Sequence, residues 1–222
     1  MNYNLKCDEV ATRRIVEAVK PATLVAATKY TTADEMAKLE ANGVTIFGEN
    51  RVQDFLKKKE VYKGKAHWHF IGTLQTNKVK YIIDQVDMIH SVANRKLIDE
   101  IEKQASKHNL VMPVLLQVNI ANEESKHGFK REEMQEVMAY ALTKPHLEVR
   151  GLMMMAPNID IEACRPYFKD TRLLLEELAQ TYPQAHLTEL SMGMSHDYKV
   201  AIEEGSTMVR IGHALFKGFV PK

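Results

Sequence analysis

The chain has 222 residues, with 30 basic against 29 acidic residues and a formal net charge of +1. This balance creates no global field that would attract nucleic acid or an anionic membrane, so we expect neither partner. Two cysteines, Cys7 and Cys164, are too few for a disulfide framework and fit a reducing cytosol. No apolar run approaches the length of a membrane span, and the N-terminus lacks the apolar core of a signal peptide. We therefore expect a soluble, cytoplasmic protein.

The hydrophobic pattern predicts an N-terminal helix followed by eight strands that alternate with helices. The first helix covers residues 8–20, because its apolar residues share one face and Pro21 ends it. Thr32 and Glu35 have the capping-box spacing of a second helix, and Asn94 is an N-cap candidate after the fourth strand. The predicted strands are residues 24–28, 44–47, 67–71, 88–92, 113–119, 147–155, 186–190 and 207–211. The later helices are predicted over residues 77–83, 94–107, 131–143, 161–178 and 196–204.

Eight such units predict an α/β fold in which a parallel sheet closes into a single (β/α)8 TIM-type barrel with an extra N-terminal helix. The alternative is an open doubly wound sheet, which would carry a glycine-rich fingerprint after its first strand. Residues 28–31 are Thr-Lys-Tyr-Thr and do not match one. No Gly/Ser/Pro-rich linker divides the chain, so we expect one domain over residues 1–222. In a barrel, the C-terminal ends of all strands meet at one face. The residues expected to converge there are Lys29, Asn50, Gly72, Asn119, Ser191 and Gly212.

Lys29 ends the first predicted strand, whose residues have no polar alternation and are expected to be covered on both faces. Desolvation at the rim of the core favours a neutral amine, which is a nucleophile for carbonyl compounds. The alternative for this stretch alone is a lysine whose ammonium extends into solvent.

Two glycine-containing turns follow the last two predicted strands, at residues 190–195 and 210–214. Loops at these places form the usual phosphate site of this barrel, with a helix N-terminus directed at the anion. Glycine allows backbone N–H groups to approach the phosphate, and Ser191 and Ser195 offer hydroxyl donors. The structural alternative is that Ser195 only caps a helix and Gly193 only forms a turn.

A lysine nucleophile and a phosphate site on one barrel face together indicate pyridoxal 5'-phosphate (PLP), because its aldehyde needs an amine and its phosphate needs donors. The sequence also closely resembles the family of pyridoxal phosphate homeostasis proteins, relatives of the N-terminal barrel of alanine racemase. The resemblance spans nearly the whole chain in order. The matching segments are residues 24–29 (LVAATK), 47–53 (FGENRVQ), 68–72 (WHFIG), 74–78 (LQTNK), 118–120 (VNI), 123–126 (EESK), 150–153 (RGLM), 190–195 (LSMGMS) and 205–212 (GSTMVRIG).

The resemblance implies a fold-type III barrel that holds PLP on Lys29 as an internal aldimine, with Arg210 facing the pyridine nitrogen. It further implies that the two C-terminal turns hold the phosphate and that side chains from the second and third strands line the pocket. The cofactor-binding residues implied in this way are Lys29, Asn50, His69, Ser191, Gly193, Ser195, Arg210, Gly212 and His213. Three positions depart from the commonest family pattern, namely Tyr30, His196 and His213, the last of which stands where a small hydroxyl residue is usual.

Arg210 also bears on the choice between a carrier and an enzyme. Arginine can only donate hydrogen bonds, so it would leave the pyridine nitrogen unprotonated and the ring a weak electron sink. A racemase of this fold takes an opposing base from another domain, whereas this chain ends at Lys222, shortly after the eighth strand. We therefore expect a carrier that buffers or delivers PLP, with PLP-dependent apo-enzymes as candidate recipients. The alternatives are a PLP-dependent amino-acid racemase or lyase, and a barrel for another phosphate metabolite in which Lys29 is only an electrostatic contact.

Other features of the sequence carry weaker hypotheses. His67 and His69 share a strand face as a zinc pair would, but no third ligand is evident and we predict no metal site. The lysine-rich residues 51–65 and 77–80 are expected to line solvated helix faces, because no aromatic residues are interleaved as in a nucleic-acid site. Lys126, in a charged loop, is a candidate second amine. We expect a monomer.

Overall fold

Eight parallel strands close into a barrel in the computed structural model, which describes residues 5–123 and 127–217. A short strand, β1 (Lys6–Cys7), precedes the barrel. The barrel strands follow in chain order and are β2 (Thr23–Ala27), β3 (Ile46–Glu49), β4 (His67–Phe70), β5 (Met88–Val92), β6 (Met112–Val118), β7 (Leu147–Met154), β8 (Glu189–Met194) and β9 (Met208–Ile211). β2 pairs with β9 in parallel, with Val25 opposite Arg210, and this pairing closes the ring. The predicted (β/α)8 barrel is confirmed.

Helices surround the barrel and mostly lie where the apolar pattern predicts them. The α-helices are α1 (Glu9–Ala18), α2 (Ala33–Ala41), α3 (Val52–Val61), α4 (Arg95–Lys107), α5 (Met134–Leu142), α6 (Arg165–Thr181) and α7 (Tyr198–Glu203). Asn94 caps α4 by accepting a hydrogen bond from the Leu97 N–H at 2.9 Å, as predicted. In the described ranges, no helix combines the length and the apolar character that crossing a membrane requires.

The predicted capping box of α2 is only half formed. Thr32 accepts a hydrogen bond from the Glu35 N–H at 3.4 Å, as the pattern requires. The Glu35 carboxylate does not return to Thr32 and instead accepts from the backbone N–H of Cys7 at 2.8 Å. This prediction was wrong in that respect because β1 brings a backbone donor to the start of α2, and the carboxylate there is almost fully buried.

Two elements also have bounds that differ from the predictions. The helix predicted over residues 77–83 is a 3-10 helix that covers Thr76–Tyr81. β8 runs from Glu189 to Met194 rather than over residues 186–190, because a 3-10 turn beginning at Pro183 leads into His186 with a left-handed φ of 50°. The later start of the strand places residues 191–193 inside β8 rather than in the turn after it. It also delays the following helix, α7, to Tyr198.

The apolar core has two layers, separated by the sheet. Outward-facing strand residues pack against the helices; Trp68, for example, makes edge-to-face contacts with Phe47, Phe55 and Tyr62 at centroid distances of 5.3–5.6 Å. The inner layer fills the barrel with Val25, Ile71, Met88, Leu115, Met153 and Met208. Polar side chains also occupy the barrel interior, and they belong to the site described below.

The first and last segments that the structure describes meet beside the mouth of the barrel. β1 pairs antiparallel with β10 (Phe216–Lys217), so that Cys7 lies opposite Phe216. The Asp8 N–H donates to the Leu215 carbonyl at 2.9 Å, which places the start of α1 against the segment that follows β9. This short antiparallel pair was not predicted, because two-residue strands leave no hydrophobic pattern. It brings Leu5 and Phe216 to the rim of the cavity where the predicted site residues meet.

Candidate functional site

A cavity of about 320 Å³ opens at the C-terminal ends of the strands, within the size range of cofactor pockets. Six of the predicted site residues line it, namely Lys29, Asn50, Ser195, Arg210, Gly212 and His213. The remaining lining residues are Leu5, Ala27, Tyr30, Ile71, Met155, Met194, His196 and Phe216. The cavity therefore joins residues separated by up to 211 positions in the sequence, as closure of the barrel requires.

Lys29 lies in the turn that follows β2 and is half-buried rather than exposed on the outer surface. Its Nζ atom is 4.9 Å from the centroid of the Tyr30 ring. The strand continues the sheet ladder as far as Thr28, whose N–H donates to the Gly48 carbonyl at 3.1 Å. The amine therefore enters the cavity from the turn directly after a barrel strand.

Arg210 is the most deeply buried cation of the site, with only 5 % of its surface exposed. Its guanidinium donates through Nη1 to Ser191 Oγ at 2.7 Å and through Nη2 to the Met154 carbonyl at 2.8 Å. Nη2 also lies 3.2 Å from Met155 Sδ. Burial lowers the pKa of Arg210 to about 10, so the group remains charged at neutral pH.

A chain of hydrogen bonds runs from Arg210 into the barrel interior. Ser191 Oγ lies 2.8 Å from His90 Nδ1, and His90 Nε2 lies 2.8 Å from His69 Nδ1. Because arginine only donates, the Ser191 oxygen accepts from Arg210. The directions of the bonds at His90 Nδ1 and His90 Nε2 depend on the tautomers of the two rings. Ser191, His90 and His69 therefore form one continuous hydrogen-bond chain behind Arg210.

Both histidines of this hydrogen-bond chain, His69 and His90, are neutral at pH 7. Burial lowers the pKa of His69 to about 4, and burial together with His69 and Arg210 lowers the pKa of His90 well below its usual value. His69 does not line the cavity and lies beneath its wall, beside His90. Sequence reasoning missed His90, although a histidine in the middle of the apolar segment 88–92 is a signal that could have found it.

The two C-terminal turns meet through one hydrogen bond, in which the Gly212 N–H donates to Ser195 Oγ at 3.3 Å. A Cβ atom at Gly212 would lie 3.3 Å from both the Cβ and the carbonyl oxygen of Ala27, so the position has little spare room. Gly193 has a different environment, because its φ is +94° and a Cβ there would lie 2.6 Å from Ala201 Cβ in α7. Ser191 and Gly193 thus lie behind the cavity, whereas Ser195 and Gly212 line it.

His213 continues the second turn and lines the cavity together with Lys29. Burial and the nearby Lys29 amine lower the pKa of His213 below its ordinary value. Together the cavity presents an amine, a permanent cation and a serine–glycine turn, which are the groups that an aldehyde with an anionic substituent requires.

A smaller polar cavity of about 280 Å³ adjoins the first and shares Lys29, Tyr30 and Asn50 with it. Gly72 is packed against Asn50, since a Cβ at Gly72 would lie 2.2 Å from the Asn50 carbonyl oxygen. Asn119 faces its own loop, where its Nδ2 donates to the Glu123 carbonyl at 2.9 Å. The candidate second amine, Lys126, lies outside the described residues.

The lysine-rich segment 51–65 contains one exception to the prediction of a solvated helix face. Lys58 of α3 is only 12 % exposed and lies 2.7 Å from Glu49 Oε1, a carboxylate at the end of β3 with 1 % exposure. Sequence reasoning missed this pair because a lysine in a charged run gives no sign of burial.

The chain matches the model of the alanine racemase N-terminal domain over residues 11–219. It is 48 % identical over 197 residues to the pyridoxal phosphate homeostasis protein of Aquifex aeolicus (strain VF5), a match that covers 88 % of this chain and 86 % of that protein. The chain belongs to the pyridoxal phosphate homeostasis protein family. The family's protein from Escherichia coli (strain K12) is 34 % identical, with 93 % of this chain and 89 % of the relative covered. The resemblance read from the sequence motifs is thereby confirmed.

Solved structures agree with this family assignment. PipY of Synechococcus elongatus PCC7942, determined with PLP bound, has a TM-score of 0.85 and 30 % identity, covering 93 % of this chain and 99 % of PipY. Alanine racemase from Corynebacterium glutamicum has a TM-score of 0.79 at 16 % identity, with 98 % of this chain and 64 % of the racemase covered. At that identity the likeness concerns the fold alone, so this member of the homeostasis family shares its barrel with the racemase.

Proposed function

We propose that this protein binds PLP covalently through Lys29 and buffers or delivers it, without substantial turnover of amino acids. The observation that carries the proposal is the convergence of Lys29, Arg210 and the Ser195–Gly212 turn on one cavity. The PLP-bound relative PipY, which is similar over nearly its whole length, supports PLP as the ligand. The cofactor supplies an aldehyde and an anionic phosphate, and the chain supplies an amine and donors for them.

Three parts of the cavity would have separate roles. Lys29 provides the nucleophile, and its position at the end of β2 holds it within the cavity. The Ser195 hydroxyl would donate to the phosphate, and the Gly212 N–H, which donates to Ser195 Oγ, would hold that hydroxyl in place.

Arg210 supports the carrier role over a racemase or lyase. It donates to an acceptor on each side and, with a pKa of about 10, keeps its own proton at neutral pH, so it would not protonate a pyridine nitrogen. A ring nitrogen facing this guanidinium would remain an acceptor, which limits the ring as an electron sink. Amino-acid chemistry at the α-carbon would then be slow, whereas binding and release of the cofactor would be unaffected.

Covalent binding is tested by the visible spectrum and by borohydride reduction followed by peptide mapping. We expect a yellow protein and a pyridoxyl group on the peptide that contains Lys29. The Lys29→Met variant should lose the label, and Lys57→Met, which changes an exposed lysine of α3, should retain it. A label on another lysine in the wild type, or none at all, would contradict the assignment. Saturable binding of phosphate compounds without any visible absorbance would instead favour a barrel for another phosphate metabolite.

The carrier role is tested by incubating the PLP-loaded protein with L- and D-amino acids in deuterated water. In a carrier, exchange of the α-proton and inversion at the α-carbon should occur only at trace rates. Both reactions depend on a positioned acid or base, which typically contributes about 10²–10⁴-fold to the rate. Turnover near the enzyme median of about 10 per second would establish a racemase or lyase instead. The same preparation, mixed with an apo-enzyme, should restore its activity by transfer of the cofactor. If no transfer occurs, the delivery part of the proposal is wrong and storage remains.

A further inference from the structure

A buried ion pair lies directly behind the strand end that presents Lys29. Lys58 of α3 and Glu49 of β3 are 2.7 Å apart, with side-chain exposures of 12 % and 1 %. Burial raises the pKa of Glu49, and the hydrogen bonds from Lys58 and Thr28 oppose that rise. The second carboxylate oxygen, Oε2, is buried and has no hydrogen-bond partner within the described residues. A buried charge pair of this kind adds little net stability, so its presence calls for another reason.

The pair makes two contacts with Thr28, the residue before Lys29. The Lys58 ammonium donates to the Thr28 carbonyl, and the Thr28 hydroxyl donates to Glu49 Oε1. The Thr28 N–H in turn donates to the Gly48 carbonyl at 3.1 Å, as part of the sheet ladder. Every polar group of Thr28 is therefore bonded, and its carbonyl belongs to the peptide unit that contains the Lys29 nitrogen. This arrangement fixes the plane from which the Lys29 side chain departs.

We propose that Glu49 and Lys58 are positioning residues that act through Thr28 to aim the Lys29 amine at the cofactor aldehyde. The inference rests on the proposed function, since it concerns covalent binding at Lys29. In that step the neutral amine adds to the aldehyde carbon, a C=N bond replaces the C=O bond, and the aldehyde oxygen leaves with the two amine protons as water. The pair touches none of the reacting atoms. The pair affects the rate of this step and leaves the affinity for the phosphate unchanged.

The inference separates two quantities that a general loss of structure would change together. The first is the rate of covalent attachment of PLP, followed by stopped-flow visible absorbance at saturating cofactor. The second is the affinity for pyridoxine 5'-phosphate, which has an alcohol in place of the aldehyde and binds without forming the C=N bond. Thr28→Val and Lys58→Met should slow attachment at least about tenfold, because misplacement by about 1 Å can cost about 10²-fold. Their affinity for pyridoxine 5'-phosphate should stay within about twofold of the wild type.

Lys57→Met is the matched control, because it makes the same change one residue earlier on an exposed side chain of α3. It should behave as wild type in both measurements. Thr28→Val replaces one hydroxyl by a methyl group of similar size. It therefore tests the positioning role even if Lys58→Met fails to fold. Wild-type attachment rates in folded Thr28→Val and Lys58→Met would overturn the inference, as would equal losses for the two ligands. A wild-type protein that attaches PLP elsewhere than Lys29 refutes the proposed function itself, which borohydride mapping distinguishes.

Discussion

Removing the Ser191 hydroxyl is the sharpest test of the interior hydrogen-bond chain. Ser191→Ala deletes the bond from Arg210 at 2.7 Å and the bond to His90 at 2.8 Å, in a position with 0 % exposure. A hydrogen bond to a charged group is worth about 1.5–3 kcal/mol and a neutral one about 0.5–1.5 kcal/mol. We therefore expect the free energy of unfolding to fall by about 2–4 kcal/mol. The loss should be near the upper end, because the guanidinium and the imidazole both remain buried without this partner.

Ser206→Ala is the matched control for this change. Its hydroxyl is also buried and lies within hydrogen-bond distance of three backbone carbonyls, those of Leu190, Met192 and Met208. A single hydroxyl proton satisfies one of them at a time, so the expected loss is one neutral bond, about 0.5–1.5 kcal/mol. Equilibrium unfolding in urea measures both variants, and at a slope of about 2 kcal/mol/M the Ser191→Ala midpoint should fall by about 1–2 M.

The functional consequence can be measured on the same variants. Without the Ser191 acceptor, Arg210 loses one of the two oxygen acceptors that set the angle of its guanidinium. PLP affinity should then fall in Ser191→Ala and stay near the wild-type value in Ser206→Ala. A double-mutant cycle with His90→Phe should show coupling, because residues in one hydrogen-bond network are not additive. If Ser191→Ala costs no more than Ser206→Ala, or if the cycle is additive, the chain from Arg210 to His90 does not have the role assigned here.

Further predictions concern protonation and the two glycines of the C-terminal turns. The pKa of His69 is lowered to about 4, so between about pH 6.5 and pH 4 the unfolded chain binds more protons than the folded one. The contribution of His69 to stability should be complete above pH 6.5 and fall by about 3 kcal/mol as the pH drops to 4. Urea unfolding at pH 7 and pH 4.5 should show a smaller pH dependence in His69→Gln than in the wild type. Gly193→Ala should lose about 1–3 kcal/mol more stability than Gly43→Ala. Both glycines have φ near +95°, but only a Cβ at Gly193 would overlap Ala201. Equal losses would refute the close contact with α7. Gly212→Val should weaken binding of PLP at least about tenfold more than binding of pyridoxal, and equal losses in equilibrium titrations would show that this turn does not contact the phosphate.

The local pattern of the sequence was sufficient for the strands and for the main cavity residues. Each strand is a short apolar segment, and counting eight of them predicts a closed barrel whose C-terminal ends converge. Lys29, Asn50 and Gly212 follow from that rule, because each stands just after the end of a predicted strand. Ser195 was predicted from the turn after the seventh strand, and Arg210 was implied by the family resemblance. The start of a strand was predicted less accurately where a turn precedes it, as at β8, because the alternation of apolar residues does not mark the residue at which pairing begins.

The residues behind the cavity could not be predicted from local pattern. His90 and Ser191 are 101 positions apart, and their contact depends on the side-chain direction that each strand presents to the barrel interior. A shift of one residue in the register of either strand would turn the side chain to the opposite face. Ser191 and Gly193 lie inside β8, behind the cavity wall, whereas Ser195 lines the cavity because it follows the end of that strand.

The sequence by itself determined the barrel, the lysine at the end of β2 and the two turns that follow β8 and β9, because these depend on the periodicity and order of residues along the chain. Only the tertiary structure decided which buried polar groups pair, namely Arg210 with Ser191 and Lys58 with Glu49. A charged residue in a helix is predicted to be solvated, because the sequence gives no sign of a partner at a distant strand end. Burial of such a group is stable only when that partner is in place, so pairing is a property of the assembled barrel and not of any one segment.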